Sequence, residues 1–191
     1  MRSLLWWLGW HGGVPLAAAI GTGLVVMLKL EAVEGFAAGL PFIVLWIAGA
    51  MHVNATFGDL LPPAAAAARN WARQALGAEH GELFLLVGHH GSAFFVKPSR
   101  YVVFNALVVT ETFVGVAEGF TLDLADRRHA PGRGTKELYY AHINGVDYRP
   151  PFFVLRSSSG ETIQYESAPD TAQSAVAAVR GRLRAVSAMR A

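Results

Sequence analysis

The first 61 residues are dominated by two apolar runs. Val14 to Leu30 carries one charged residue, Lys29, at its end, and Gly35 to Phe57 carries none. A helix needs about 20 apolar residues to cross a hydrocarbon core of about 30 Å. The segment between the runs is just long enough to reverse the chain. A secretory signal peptide is the competing interpretation of the first run, but a second apolar run follows almost at once. The pattern therefore predicts a transmembrane helical hairpin within residues 1–61.

Three tryptophans, Trp6, Trp7 and Trp10, precede the first apolar run. Tryptophan favours the headgroup level of a bilayer, where its ring is buried and its N–H group meets water. We therefore expect an interfacial segment that contacts lipid or a partner ahead of the hairpin. The alternative is a plain extension of the first helix.

Residues 62–81 have the composition of an amphipathic helix that connects the hairpin to the rest of the chain. Proline stands at its start and Gly77 near its end. Trp71 lies on an apolar stripe of alanines, while Arg69 and Arg73 form a basic stripe. A basic, tryptophan-bearing helix directly after a span is typical of a juxtamembrane helix on the lipid surface. Packing of the same helix on the following domain is the alternative.

The periodicity changes at Glu82. Short runs rich in Val, Phe, Tyr, Leu and Thr follow one another, each bounded by turn residues, which is typical of successive antiparallel strands. The strands stop at Pro169, and Asp170 then precedes an amphipathic helical pattern. For residues 82–191 we predict an α+β domain, with about seven strands in an antiparallel barrel or sandwich that a C-terminal helix caps.

The stretch from Asn105 onward resembles the bacterial PH-domain (pleckstrin-homology-like) families. "ALVVTETFVGVAEG" is similar to their early hairpin, and the segment from "ELYYAHINGVDY" to the last helix is similar to their later strands, with Ile143 and Val146 at matching steps. The resemblance implies a PH-like domain in a membrane-anchored bacterial protein. It further implies a binding or scaffolding module without enzymatic activity.

Charge distribution supports a membrane-anchored layout. Charged residues make up 16% of the chain, against about 25% in ordinary soluble domains, and most of them follow Pro62. Arg2 precedes the first span, and Arg69 and Arg73 follow the second. Because lysine and arginine flank spans on the cytoplasmic side, we expect both termini and the C-terminal domain in the cytoplasm, at the bacterial inner membrane.

The chain offers little of the chemistry that catalysis needs. It has no cysteine, which excludes disulfides, thiolate zinc sites and cysteine nucleophiles. Sequence signatures for phosphate loops, zinc proteases, serine hydrolases and dinucleotide folds are also absent. His89 and His90 are adjacent, so on a strand they would point to opposite faces, and a turn is the better interpretation than a metal site. We predict no enzymatic activity and no metal.

Two sets of residues remain as candidates for binding. His52 lies near the end of the second apolar run, where an ionisable residue is a functional candidate, here for contact with a haem or pigment; the alternative is simple contact with water. Four basic residues occupy one long loop: Arg127, Arg128, Arg133 and Lys136. Each basic residue near an anionic leaflet contributes about 1 kcal/mol, but a solvated loop is an equal alternative. Nucleic acid is disfavoured by the membrane anchor.

These features together predict an accessory or assembly subunit of a larger membrane complex. Its partners would be other integral membrane subunits and the lipid bilayer. Two alternatives stay open: a lipid-sensing module that uses the basic loop, and a pigment- or haem-contacting subunit that uses His52.

Overall fold

A computed structural model describes residues 2–11, 13–29, 32–88 and 99–189. Within these residues the chain forms four α-helices, a short 3₁₀ helix and eight strands in two antiparallel sheets. The predicted α+β class with antiparallel sheets and a C-terminal helix is confirmed. The predicted turn at His89 and His90 lies outside the described residues.

Contacts divide the chain into two compact units. The first comprises the described residues of Met1–Leu61, His90–Arg100 and Leu124–Arg127. The second comprises those of Pro62–His89, Tyr101–Asp123 and Arg128–Ala191.

The helices of the N-terminal part are α1 (Arg2–Trp10), α2 (Gly13–Lys29) and α3 (Ala32–Leu76). Of the described helices, α3 alone is long and apolar enough to cross a membrane, by length and composition. With 17 residues, α2 is about 25 Å long. Its length by itself falls short of the hydrocarbon core.

The 45-residue helix α3 contains both the second apolar run and the connector, where the sequence indicates a new helix start at Pro62. Proline in a helix interior removes one backbone hydrogen bond and costs about 3 kcal/mol. Five alanines follow Pro63, and alanine has the highest helix propensity of any residue type. Ala68 and Ala72 are also almost completely buried, so packing holds this part of the helix in place.

The first unit is built on close approach between helix backbones. A Cβ atom added at Gly39 of α3 would lie 3.1 Å from the carbonyl oxygen of Ala19 in α2. A Cβ atom added at Gly49 would lie 2.7 Å from the backbone nitrogen of Gly9 in α1. Gly9 lies ten residues before Ala19, and its partner Gly49 lies ten residues after Gly39, the partner of Ala19. Both α1 and α2 therefore run antiparallel to α3 in one register, as consecutive parts of the same arm.

The first sheet contains five antiparallel strands, namely β1 (Glu82–Val87), β2 (Tyr101–Val109), β3 (Phe113–Asp123), β4 (Arg128–Ala130) and β5 (Gly134–Tyr139). Their order is β1-β2-β3, and β4 and β5 pair in turn with the far edge of β3. These two short strands thus occupy a single position in the sheet.

A 3₁₀ helix (Tyr140–His142) leads into the second sheet, which contains β6 (Ile143–Arg149), β7 (Phe152–Ser157) and β8 (Thr162–Glu166). Helix α4 (Pro169–Ala188) follows. Among the described strands no ladder joins the two sheets, so the closed barrel, one of the two expected forms, is not formed. The 3₁₀ helix interrupts the extended chain between β5 and β6, and these consecutive strands lie in different sheets.

The main core lies between the two sheets, where Leu107 and Phe153 are completely buried and Val179 of α4 closes the cluster. A second cluster covers the other face of the first sheet, where Ala72 and Leu76 of α3 pack against strands β2 and β3. Both faces of this sheet are therefore covered. That explains why the last four residues of β2 are all buried and do not alternate.

Tyr140 supplies a test of the core by pH. Its hydroxyl group donates a hydrogen bond of 2.6 Å to the carbonyl oxygen of Thr110, and burial raises the pKa of Tyr140 to about 12. A tyrosine whose pKa is higher in the folded than in the unfolded chain stabilises fully below its unfolded pKa of about 10, and this stability is lost as the pH rises towards 12. We expect Tyr140→Phe to cost about 1 kcal/mol at neutral pH and to reduce the loss between pH 10 and 12.

The measurement is the urea midpoint of the full chain from pH 8 to 12. Tyr139→Phe is the matched control, because Tyr139 is 53% exposed and directly precedes Tyr140 in the chain. Equal pH profiles for wild type and Tyr140→Phe would contradict the role of the buried hydroxyl group.

Candidate functional site: an aromatic cluster around Trp6

Trp6 is the centre of an aromatic cluster in the first unit. Its side chain is only 6% exposed, and its indole N–H donates a hydrogen bond of 2.9 Å to the carbonyl oxygen of Ala125. The Trp10 ring lies 5.9 Å from the Trp6 ring between centroids. The His52 ring meets Trp6 edge to face at 6.4 Å. Two positions distant in sequence, His52 and Ala125, therefore meet Trp6, together with Trp10 one turn along the same helix.

Arg127 covers the same ring. Its guanidinium carbon lies 4.3 Å from the centroid of the Trp6 ring, within the range of a cation–π contact. Arg127 also has a φ of 54°, in the left-handed region that residues other than glycine seldom adopt. Such a backbone costs about 1–3 kcal/mol and persists only where surrounding contacts hold it.

The turn that carries Arg127 is fixed on its other side. The backbone N–H of Leu124 donates to the carbonyl oxygen of Arg100 at 2.8 Å. The Arg100 side chain forms an exposed ion pair with Asp126 at 3.2 Å. These contacts hold the turn so that the Arg127 side chain is presented at the Trp6 ring.

His52 is built into the cluster from the α3 side. Its carbonyl oxygen accepts a hydrogen bond of 2.7 Å from Thr56 Oγ1. Its Nε2 atom is buried and has no hydrogen-bond partner in the part of the chain that the structure describes. Nε2 is one of the two ring nitrogens that could bind a haem or chlorophyll metal, and its burial closes that nitrogen in this conformation. The geometry favours a packing role against Trp6.

The other residues predicted as lipid or partner contacts are dispersed. Trp7 is 46% exposed beside His11, and Arg69 and Arg73 are exposed on α3. Trp71 packs on Phe120 in the second unit, with ring centroids 5.8 Å apart. The sequence allowed the connector to lie on the lipid surface or to pack on the following domain, and Trp71 makes the second kind of contact.

The basic residues of the long loop make different contacts. Lys136 Nζ lies 2.8 Å from Glu161 and 3.9 Å from Glu118, and the hydrogen bond to Glu161 raises the pKa of Lys136. The hydroxyl group of Tyr165 donates a hydrogen bond to the Glu118 carboxylate, and burial raises the pKa of Tyr165. Lys136 thus belongs to a polar network within the second unit. Arg128 and Arg133 are exposed.

A cleft of about 1070 Å³ lies in the second unit at the C-terminal end of α3. It is lined by charged side chains of both signs: Arg73, Glu79, Glu111, Glu137 and Arg182. Among the described residues no group of three or more His, Asp or Glu side chains is arranged to hold a metal ion. The aromatic cluster is therefore the better-defined candidate site.

The sequence identified most members of this cluster singly but not their association. Trp6, Trp10, His52 and Arg127 are all predicted candidates, and the structure brings them together. The carbonyl oxygen of Ala125 was not predictable, because the contact is made by a backbone atom 119 residues away from Trp6. The left-handed backbone at Arg127 has no sequence signal either, since glycine or asparagine usually marks it.

Comparisons with known proteins provide no family. No protein-family model matches the chain, and no curated protein matches it. A crystal structure of the C-terminal domain of an unknown protein from Leishmania infantum is similar over 62% of this chain and 98% of that one, with 12% identity and a TM-score of 0.38. A similarity of this size carries no inference about fold or function.

Proposed function

We propose that this protein is a non-enzymatic accessory or assembly subunit of a larger membrane complex, anchored at the bacterial inner membrane by its helical hairpin. The observation that carries the proposal is the apolar outer surface of the first unit. Of the sixteen large hydrophobic side chains that are exposed among the described residues, twelve lie before Leu61. A surface of this kind is costly in water and is typical of contact with lipid or with other membrane helices.

The hairpin becomes long enough to span when both arms are considered. The arm formed by α1 and α2 runs along α3 in one register, so its length is that of two helices. Glycines and alanines at Ala19, Gly39 and Gly49 let the backbones approach closely, as in many membrane helix pairs. Close packing of this kind supports a preformed hairpin that presents its outer faces to a partner.

For the second unit we propose a PH-like scaffolding domain on the cytoplasmic side. Strands β4 and β5 share one position beside β3, which leaves seven strand positions followed by helix α4. This count agrees with the plan that the sequence resemblance implies. The connector part of α3 covers the outer face of the first sheet, so the surfaces left for a protein partner are the sheet edges and the charged cleft.

The proposal is tested on the full chain, purified from native membranes in a mild detergent. Size-exclusion chromatography with light scattering should give a protein mass well above the 20.5 kDa of one chain. Mass spectrometry should identify a reproducible set of integral membrane subunits in constant ratio. A bare monomer, free of such subunits, would contradict the proposal.

Gly21 provides a variant that separates docking from folding. It is exposed on α2, and a Cβ atom added there would meet nothing within 4 Å. We expect Gly21→Leu to leave the free energy of unfolding of the purified chain within about 0.5 kcal/mol of wild type. The bulky side chain should nevertheless reduce the yield of the complex by blocking close approach of a partner helix.

Gly21→Ser is the matched control, because a small residue keeps the approach open. Full recovery of the complex with Gly21→Leu would show that partners do not dock on this face of α2.

A further inference from the structure

Arg127 is exposed, yet its position is tightly specified. One side of its guanidinium group faces the Trp6 ring at 4.3 Å. The neighbouring carboxylate, Asp126, pairs with Arg100. Among the described residues no ion pair joins Arg127 to a carboxylate, so its charge remains available to a ligand. The guanidinium N–H groups that do not face the ring are suited to an anion with two acceptor oxygens.

The proposed membrane placement puts Arg127 at the headgroup level. The exposed apolar side chains of the first arm extend from Leu4 to Leu28. At about 1.5 Å per residue this stretch covers roughly 36 Å, which is about one helical turn more than a hydrocarbon core of about 30 Å. Trp6, with Arg127 on its ring, therefore lies within the last turn of the apolar surface, close to the level where phospholipid phosphates are found.

We infer that Arg127, held on the Trp6 ring, binds the phosphate group of an anionic phospholipid. The inference rests on the proposed function, because it requires the hairpin to lie in a bilayer. Its chemistry is that of a guanidinium fork, which donates hydrogen bonds to two phosphate oxygens at once, next to an indole that already favours the interface. The unusual backbone at Arg127 supports a specific role, because a glycine would form this turn at lower cost.

This site differs from a diffuse attraction between basic residues and an anionic surface. Diffuse attraction weights each exposed basic residue alike. At a specific site, the loss of Arg127 has a far larger effect than the loss of Arg128. Arg128 is the next residue and is also exposed, but it lies over no aromatic ring of the described residues. The pair Arg127 and Arg128 therefore separates the two explanations.

The test uses the purified full chain in nanodiscs of phosphatidylcholine with an increasing fraction of phosphatidylglycerol. Thermal unfolding, followed by circular dichroism, gives the fraction of phosphatidylglycerol at which half of the stabilisation is reached. We expect Arg127→Gln to raise this fraction about tenfold, or to abolish the stabilisation, since a charge-assisted hydrogen bond is lost. Arg128→Gln should change it less than about twofold.

Further arms keep the test decisive. Arg127→Lys retains the charge without the fork and should give an intermediate result, which also replaces Arg127→Gln if that variant fails to fold. Inorganic phosphate added to nanodiscs of phosphatidylcholine alone should not stabilise the chain. Equal effects of Arg127→Gln and Arg128→Gln, no stabilisation by phosphatidylglycerol in wild type, or equal stabilisation by free phosphate would each overturn the inference. All these measurements use the isolated chain, so their outcome is independent of whether partner subunits co-purify.

Discussion

Gly49→Leu is expected to detach α1 from α3 and to destabilise the first unit by about 3 kcal/mol. A Cβ atom at this position would lie 2.7 Å from the Gly9 nitrogen and 3.0 Å from the Leu5 carbonyl oxygen. Overpacking of a side-chain contact costs about 1–3 kcal/mol, and backbone atoms cannot relieve the clash by changing rotamer. The helices must therefore separate, which also removes the contact between Trp6 and His52.

Hydrogen exchange measured by mass spectrometry on the full chain in nanodiscs provides a local measurement. The amides of α1 should lose protection in Gly49→Leu, while those of α4 in the second unit should be unchanged. Gly21→Leu is the matched control, since the same substitution on the outer face of α2 meets no neighbouring atom. Wild-type protection of α1 in Gly49→Leu would show that the two helices are not packed backbone to backbone.

The hairpin illustrates how far hydropathy predicts structure. Two apolar runs and a short reversal predict two helices, and the structure has α2 and α3 at those places. Hydropathy does not predict that Gly9 and Gly49 are in contact, because this depends on the register between the two helices, and the two glycines have no distinguishing feature in the sequence. The register also makes α1 a continuation of the α2 arm, a possibility that the tryptophan pattern left open.

The second unit shows where local rules fail. Alternation and turn residues predict short antiparallel strands, and they are present. The last residues of β2 are continuously buried because α3 covers the outer face of the sheet. This tertiary contact cannot be predicted from the residues of β2 alone. Likewise Pro62 indicates a helix start by local preference, while the buried alanines beyond it allow α3 to continue.

The candidate site depends on long-range contacts even more strongly. Residue type alone makes Trp6, His52 and Arg127 candidates for binding, each for a separate reason. Their association requires that α1, α3 and the turn after β3 meet, which no spacing rule provides. Residue type leaves the place of Trp71 open for the same reason, because a tryptophan on a basic helix is equally suited to lipid and to the face of a sheet.

Trp71→Ala is expected to destabilise the second unit by about 3 kcal/mol. The Trp71 ring packs on Phe120 at 5.8 Å between centroids, and it lies where Gly132 leaves room for it. Truncating a tryptophan to alanine in a core costs about 3–5 kcal/mol, and the lower value applies because this side chain is only partly buried. Thermal unfolding of the full chain in nanodiscs of phosphatidylcholine measures the change.

The control for Trp71 is Trp7→Ala, since Trp7 is 46% exposed and its loss should change the free energy of unfolding by less than about 1 kcal/mol. The two interpretations of the connector give opposite results in this comparison. If Trp71 served a lipid contact, its removal would leave the unfolding midpoint unchanged and would make the protein less sensitive to phosphatidylglycerol. If the ring is part of the domain, Trp71→Ala lowers the midpoint equally in neutral and in anionic nanodiscs, because the lost contact is with Phe120 and lipid composition does not alter it.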